Sequence, residues 1–246
     1  MWPFSFKEGE KMEISYYTAT GNSFVIYDSV GKDLAYEEKN NLVLKNVGDR
    51  DGMVFVEKKD GFFMDYFNRD GQRAEFCGNG ARSFVKYLHD AGYIKENVVF
   101  DSFAGQVEGH LVDGEIMIKM PKIKTDDKLG SVAGHYVVVG VPHYVIFVDN
   151  VEEVDVEKLG ANLRKELDAN IDFVEIKANE IKMRTYERGV EGETKACGTG
   201  ATASAYVSKI TRQWHVQKIN VSVPGGKLKV IFKGEDVYLQ GGVDNV

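Results

Sequence analysis

Cys77 and Cys197 are the two cysteines of the 246-residue chain, and each heads the same short pattern, Cys77-Gly-Asn-Gly-Ala and Cys197-Gly-Thr-Gly-Ala. A glycine-flanked turn that enters a helix leaves several backbone N–H groups without partners, and glycine lets an anion approach them closely. Asn79 and Thr199 are of the types favoured at helix N-caps, which sets the expected helix starts beside them. A cysteine there feels the positive end of the helix dipole, so its thiolate is expected to be more accessible than that of a free thiol. Each pattern thus offers a base together with a cradle for a carboxylate. If the α-carboxylate of an amino acid rests between two such turns, related by an approximate twofold axis, one sulfur faces each side of the α-carbon. One thiolate then removes the α-proton while the opposite thiol delivers another, and the reverse reaction starts with the roles exchanged.

The developing carbanion needs stabilisation, and helix N-termini can supply it. At about 1.5–3 kcal/mol for each charge-assisted hydrogen bond, four backbone donors reach on the order of 6–12 kcal/mol, of which only the part that strengthens at the transition state accelerates reaction. A single Cys-Gly-x-Gly turn is weak evidence, because its everyday role is a helix entry with an inert buried thiol. Two copies that hold both cysteines and lie about half a chain apart favour function. On the residues alone, a redox disulfide and a ligand-binding protein without turnover stay open as rival readings.

These turns must be positioned by the elements around them. Alternating or β-branched runs predict strands near residues 14–18, 24–28, 53–57, 62–68, 98–101 and 115–120, and again near 136–139, 144–148, 173–177, 181–186, 219–223, 227–232 and 237–240. Helical spacing is present near 33–45 and 156–167. A third helix follows Gly80, with Ala81, Phe84, Val85 and Leu88 on one face and Gly92 placed as its left-handed cap. The fourth follows Gly200, where Ala201 to Val207 has no clear polar face and is therefore expected to be enclosed on most sides. The repeated turn implies a repeated architecture. The expectation is an α+β fold of two pseudo-symmetric domains, residues 1–118 and 119–246, each a mostly antiparallel sheet wrapped round a central helix. Residues 1–11 read as an extension, with Met12 as an alternative start, and the last residues are candidates to return to the first half.

Composition narrows the function classes. A net charge of −7 with both signs interspersed argues against a nucleic-acid partner. The best apolar stretch, residues 136–148, is interrupted by Gly140, Pro142 and His143 and is too short to span a bilayer. The N-terminus lacks the features of a secretory signal, so a soluble cytoplasmic protein is expected. Two cysteines make no disulfide framework, and no Cys/His cluster has zinc-ligand spacing.

At the cysteine turns and several other ordered segments the chain resembles the diaminopimelate epimerase family, within the wider group of cofactor-independent racemases. The matching segments are GNSFV from Gly21, FNRDGQRAEFCGNGAR from Phe67, PHYVIFV from Pro142, NIDFV from Asn170 and RTYERGVEGETKACGTGA from Arg184. The resemblance implies an isomerase with a substrate site between two domains, no metal and no pyridoxal phosphate, and a small-molecule amino acid as its partner, with a homodimer as the oligomeric state to consider. It implies Cys77 and Cys197 as the proton-transfer pair, assisted by His143 and Glu187. Gly78, Asn79, Gly198 and Thr199 match the carboxylate cradle, and Asn22, Asn68, Asn170, Glu187 and Arg188 match substrate-binding positions. Arg188 would pair with a distal carboxylate, for which a planar guanidinium is well shaped. The implied activity is epimerisation of L,L- to meso-diaminopimelate in lysine and peptidoglycan precursor synthesis. The chain departs from the family pattern at Val141, where an asparagine is usual, at Ser83 in place of a cysteine, and at Glu191, which reads as an insertion. Loss of the Val141 amide opens the alternative of a broader racemase acting on lysine or ornithine. A third possibility is an isomerase of the related phenazine-biosynthesis type, ranked below the others because that group generally lacks the cysteine pair.

Overall fold

The computed structural model describes residues 14–178 and 180–246. The expected extension at 1–11 and the alternative start at Met12 lie outside the described residues. The first half runs β1 (Ile14–Ala19), β2 (Asn22–Asp28), α1 (Tyr36–Asn46), β3 (Gly52–Lys58), β4 (Phe62–Asn68), β5 (Arg73–Ala74), α2 (Gly78–Asp90), β6 (Asn97–Ser102), β7 (Gly105–Val112), β8 (Glu115–Lys119) and β9 (Ile123–Asp126). The second runs β10 (His135–Val139), β11 (Val141–Phe147), α3 (Val156–Leu167), β12 (Asn170–Lys177), β13 (Glu180–Glu187), β14 (Gly192–Thr194), α4 (Gly198–Thr211), β15 (Lys218–Val223), β16 (Gly226–Lys233), β17 (Asp236–Gly241) and β18 (Val243–Asn245). The same order of elements occurs twice, which makes the α+β pseudo-symmetry explicit.

Strand pairing repeats with it. β2–β3 and β11–β12 are parallel, because an outer helix, α1 or α3, carries the chain back to the starting edge. β4–β6 and β13–β15 are also parallel, their crossovers being α2 and α4. The remaining pairs are antiparallel. Registers match as well: Phe24 pairs with Gly52 as His143 pairs with Asn170, and Val54 pairs with Tyr66 as Asp172 pairs with Thr185. Phe24, Val54 and Tyr66 therefore occupy in the first half the places of His143, Asp172 and Thr185 in the second.

The main hydrophobic core contains the apolar faces of both α2 and α4, including Phe84, Val85 and Leu88 on one and Ala201, Ala203, Ala205 and Val207 on the other. Small side chains suit α4 because strands surround it. Two outer clusters lie beneath α1, around Val43 and Phe55, and beneath α3, around Leu163 and Phe173. The halves are sewn together by β8–β17, β9–β10 and β1–β18, all antiparallel.

The helix starts differ from expectation. Asn79 and Thr199 are not the caps: α2 and α4 begin at Gly78 and Gly198, and the N-caps are Cys77 and Cys197, both in extended conformation. At its other end α2 closes as expected, with Gly92 at φ +72°, its N–H bonded to His89 O at 2.9 Å and that of Tyr93 to Leu88 O at 2.9 Å. β7 escaped the strand pattern because Gly109 interrupts it; a Cβ at Gly109 would lie 2.5 Å from Val85 Cγ2, so the glycine is required for α2 to pack.

Candidate active site

The two cysteine turns meet. A Cβ built on Gly78 would stand 3.8 Å from Gly198 Cα, and one on Gly198 would stand 3.7 Å from Gly78 Cα and 2.8 Å from Leu239 Cδ2. Glycine at both positions lets the helix N-termini abut, so their unpaired N–H groups share one junction. Cys77 Sγ accepts from Gly80 N–H at 3.4 Å, and Cys197 Sγ lies 3.5 Å from Thr199 Oγ1.

Around Cys77 the polar groups form a chain. Asn79 Nδ2 donates to Asn22 Oδ1 at 2.7 Å and to Ala196 O at 3.1 Å, the latter crossing to the residue before Cys197. Asn22 Nδ2 in turn donates to Asp51 Oδ1 at 3.1 Å, and Ser23 N–H donates to Asp51 Oδ2 at 2.7 Å. Arg82 Nη2 donates to Asn79 Oδ1 at 2.7 Å, which fixes the orientation of that amide.

Around Cys197 the network is ionisable. His143 and Asp172 are fully buried, with His143 Nδ1 2.8 Å from Asp172 Oδ2, and Thr185 Oγ1 donates to Asp172 Oδ1 at 2.7 Å. His143 Nε2 lies 2.9 Å from Thr199 Oγ1 and 3.4 Å from Asn170 Nδ2. A carboxylate at Nδ1 and two donors at Nε2 assign the Nδ1–H tautomer. Thr199 can then donate to His143 and accept from the Cys197 thiol. The hydroxyl bridges the sulfur to the imidazole, giving the Cys197 proton a route to a His143–Asp172 pair. Gly200 makes room for this: a Cβ there would be 2.6 Å from Asp172 Oδ1.

Glu187 joins the two sides. Its carboxylate accepts from Thr194 Oγ1, and its charge bears on both sulfurs. Burial raises the Glu187 carboxyl above its usual range, opposed by Thr194 and His143. The expectation of an unusually accessible thiolate is corrected here. Burial pushes Cys77 up to about 11, and burial with the charges of Glu187 and Asp172 pushes Cys197 well up; the backbone N–H groups of Gly80 and Asn79, and of Gly200, pull the other way and are outweighed. Both thiols are therefore favoured in their neutral form at neutral pH.

The remaining expected residues lie at different distances from this junction. Asn170 is buried, donates to Pro142 O at 3.0 Å and accepts from Arg188 N–H at 2.8 Å. The Arg188 guanidinium reaches Asp168 Oδ2 at 3.2 Å, an exposed pair in which a ligand carboxylate could take the place of Asp168. Asn68 ends β4, exposed, with its backbone held by Gln72 O at 2.8 Å and by Gly71 N–H at 3.0 Å. Val141 opens β11 at the place that Asn22 holds in β2, and offers no amide. Among the described residues no group of His, Cys, Asp and Glu side chains converges as a metal site.

Residues 14–122 and 135–246 match the family model described as diaminopimelate epimerase. The chain belongs to the diaminopimelate epimerase family. It is 47% identical to the diaminopimelate epimerase of Thermotoga maritima over 231 residues, 92% of this chain and 97% of that one. It is 34% identical to the diaminopimelate epimerase of Aquifex aeolicus, covering 96% of each. Among solved structures, a phenazine biosynthesis protein of the PhzF family from Bacillus anthracis superposes with TM-score 0.78 at 17% identity, covering 95% of this chain and 96% of that one. A hydroxyproline epimerase from Agrobacterium vitis, with trans-4-hydroxy-L-proline bound, superposes with TM-score 0.73 at 12% identity over 95% and 90% of the two chains. These two likenesses show the fold.

Within this diaminopimelate epimerase family member, sequence reasoning passed over Asp172, Arg82 and Tyr66. Asp172 carried a signal, being two residues beyond Asn170 and hence on the same face of one strand. Tyr66 likewise stands two residues before Asn68. It is buried, its phenol feels the charge of an ionised Cys77, and it fits against the backbone only because residue 52 is glycine: a Cβ there would be 2.6 Å from Tyr66 Cε2.

Proposed function

We propose that the chain interconverts L,L- and meso-diaminopimelate by proton transfer between Cys77 and Cys197, a reaction of lysine and peptidoglycan precursor synthesis. The observation that carries this reading is the abutment of two cysteine-capped helix N-termini at Gly78 and Gly198. The α-carboxylate lies against the N–H groups of Gly78, Asn79, Gly198 and Thr199. Cys77 and Cys197 act on opposite faces of the α-carbon, with His143 and Glu187 as the groups that take up or return the Cys197 proton. Asn22, Asn68, Asn170, Glu187 and Arg188 hold the rest of the substrate, Arg188 exchanging Asp168 for the distal carboxylate. The helix N–H groups stabilise charge as the α-proton leaves, so the reading calls for neither metal nor pyridoxal phosphate. It also places the substrate between the two repeated halves and assigns the protein to the cytoplasm, in keeping with its two free cysteines.

Reduced protein incubated with L,L-diaminopimelate in deuterated water is expected to gain deuterium at one α-carbon, and Cys77→Ser or Cys197→Ser each to abolish the gain. Folded, reduced wild-type protein that exchanges nothing overturns the proposal. One observation favours a second reading: Val141, at the place of Asn22, presents no amide to a second polar head group, which fits a broader racemase. A chiral assay on diaminopimelate, lysine and ornithine decides, and turnover of diaminopimelate alone removes the broader reading.

A further inference from the structure

Two cations are buried among the described residues, Lys39 and Arg82, and they are treated differently by their surroundings. Lys39 bonds to two carboxylates, Glu57 and Asp65. Arg82 has none within ion-pair distance. Its guanidinium meets three neutral oxygens: Asn79 Oδ1 at 2.7 Å, Thr20 Oγ1 at 3.0 Å and Gly242 O at 3.3 Å. Its Nε is buried with no partner. A buried charge is costly unless it is paired and hydrogen-bonded, so an unpaired one needs a compensating role.

The packing holds Arg82 at a specific place. A Cβ on Gly241 would lie 2.4 Å from Arg82 Nη1, so glycine at the end of β17 is what admits the guanidinium. From there it ties the β1–β2 turn, α2 and the β17–β18 junction directly. Through Asn79 it reaches Asn22 and Ala196, the residue before Cys197. The Asn79 oxygen is occupied by Arg82, so the Asn79 amide nitrogen must face both halves of the site.

We propose that Arg82 is a positioning residue for the two cysteine turns, its guanidinium both locking Asn79 and holding a positive charge without an ion-pair partner behind the helix mouths, where the substrate carboxylate binds and the Cys77 thiolate forms. The role rests on the proposed reaction, but its effect on Cys77 exists without substrate. Burial lowers the Arg82 guanidinium to about 10, and the charges of an ionised Cys77 and of Glu115 oppose that fall; reciprocally, Arg82 favours the Cys77 thiolate, by less than Glu187 disfavours it. Facing the same sulfur are Tyr66 from β4, Glu187 from β13 and Asp51 before β3, so variants are compared at fixed pH with those groups unchanged.

The test uses Arg82→Met, which removes the charge, and Arg82→Lys, which keeps it but loses the fork. In a Cys197→Ser background Cys77 is the sole thiol, and its alkylation by iodoacetamide is followed from pH 7 to 10. Arg82→Met is expected to slow alkylation at pH 8.5 about threefold, while Arg82→Lys stays within about twofold. In the two-cysteine protein both variants are expected to raise KM for the amino acid by about tenfold, through the freed Asn79. A folded Arg82→Met protein with alkylation rate and KM within twofold of wild type overturns the proposal. If Arg82→Met does not fold, Arg82→Lys decides: normal alkylation with raised KM supports the role, and unchanged KM overturns it. Wild-type protein that exchanges no amino acid defeats the proposed reaction alone, since the alkylation comparison still decides the role of Arg82.

Discussion

Asp172→Asn separates a working His143–Asp172 pair from a merely structural one. The carboxylate is fully buried and accepts from His143 Nδ1 at 2.8 Å and from Thr185 Oγ1 at 2.7 Å. Asparagine keeps the shape and retains an acceptor for Nδ1–H while turning its amide toward Thr185, whose hydroxyl can accept. The neutral imidazole is therefore hardly disturbed. What is lost is the counter-charge for an imidazolium formed when the Cys197 proton passes through Thr199. At an effective dielectric constant near 20, two unit charges about 4 Å apart interact by about 4 kcal/mol, a factor on the order of 10³ in the population of that proton-transferred state. Some of this charge develops only partly at the transition state, so kcat/KM is expected to fall about 10²–10³-fold. It must fall equally in both directions, because L,L and meso substrates share the same transition states. Deuterium incorporation at the α-carbon, with circular dichroism to verify folding, provides the assay. A folded Asp172→Asn protein with kcat/KM within threefold of wild type would show that no proton travels by this route.

Further consequences can be measured directly. With Cys77 pushed up to about 11 by burial, roughly one thiol in a thousand is ionised at pH 8, so its alkylation should be slow and should climb about tenfold per pH unit between 7 and 10; a plateau below pH 9 contradicts the burial argument. The sign for stability is the opposite one. An unfolded thiol ionises first, so Cys77 stabilises the fold below its ordinary value of 9.0 and that contribution is lost as pH rises toward 11, which denaturant titrations at pH 8 and 10.5 will register. Gly198→Ala puts a methyl 2.8 Å from the buried Leu239 and 3.4 Å from Asn79 Oδ1, and is expected to cost about 1–3 kcal/mol in urea unfolding and to depress turnover by parting the two turns. At the end of α4, Gln213 adopts φ +52° where α2 uses Gly92, with Trp214 N–H bonded to Lys209 O at 2.9 Å. Gln213→Gly should therefore stabilise the protein by about 0.5–1 kcal/mol, read as a small rise in Tm without change in activity.

How much of this was legible in the residues follows from what each signal depends on. The two turns were readable because glycine, cysteine and a following apolar spacing are local features, and the repeat fixed the pseudo-symmetric α+β plan. Cap identity was misread, since Asn79 and Thr199 have the right side chains but the extended backbone falls on Cys77 and Cys197. The thiol ionisation was misjudged for a physical reason: the helix end is a local property, whereas desolvation is a sum over everything folded around the sulfur. β7 was hidden because Gly109 answers to Val85 on α2, a contact no window of sequence contains. Arg82 was silent for the same reason, its partner Gly241 lying 159 residues away, whereas Tyr66 shared a strand face with Asn68 but not its partner Gly52.

The β1–β18 ladder has an implication for how this polypeptide could be rewired. β9 and β10 are consecutive antiparallel neighbours joined by the loop at 127–134, and β18 and β1 form the corresponding pair without a covalent link. Topologically the backbone is a ring with one bond omitted. Splicing β18 to β1 through a short flexible segment and cutting within 127–134 should give a permuted protein in which the second repeat is translated first and the two cysteine turns still abut.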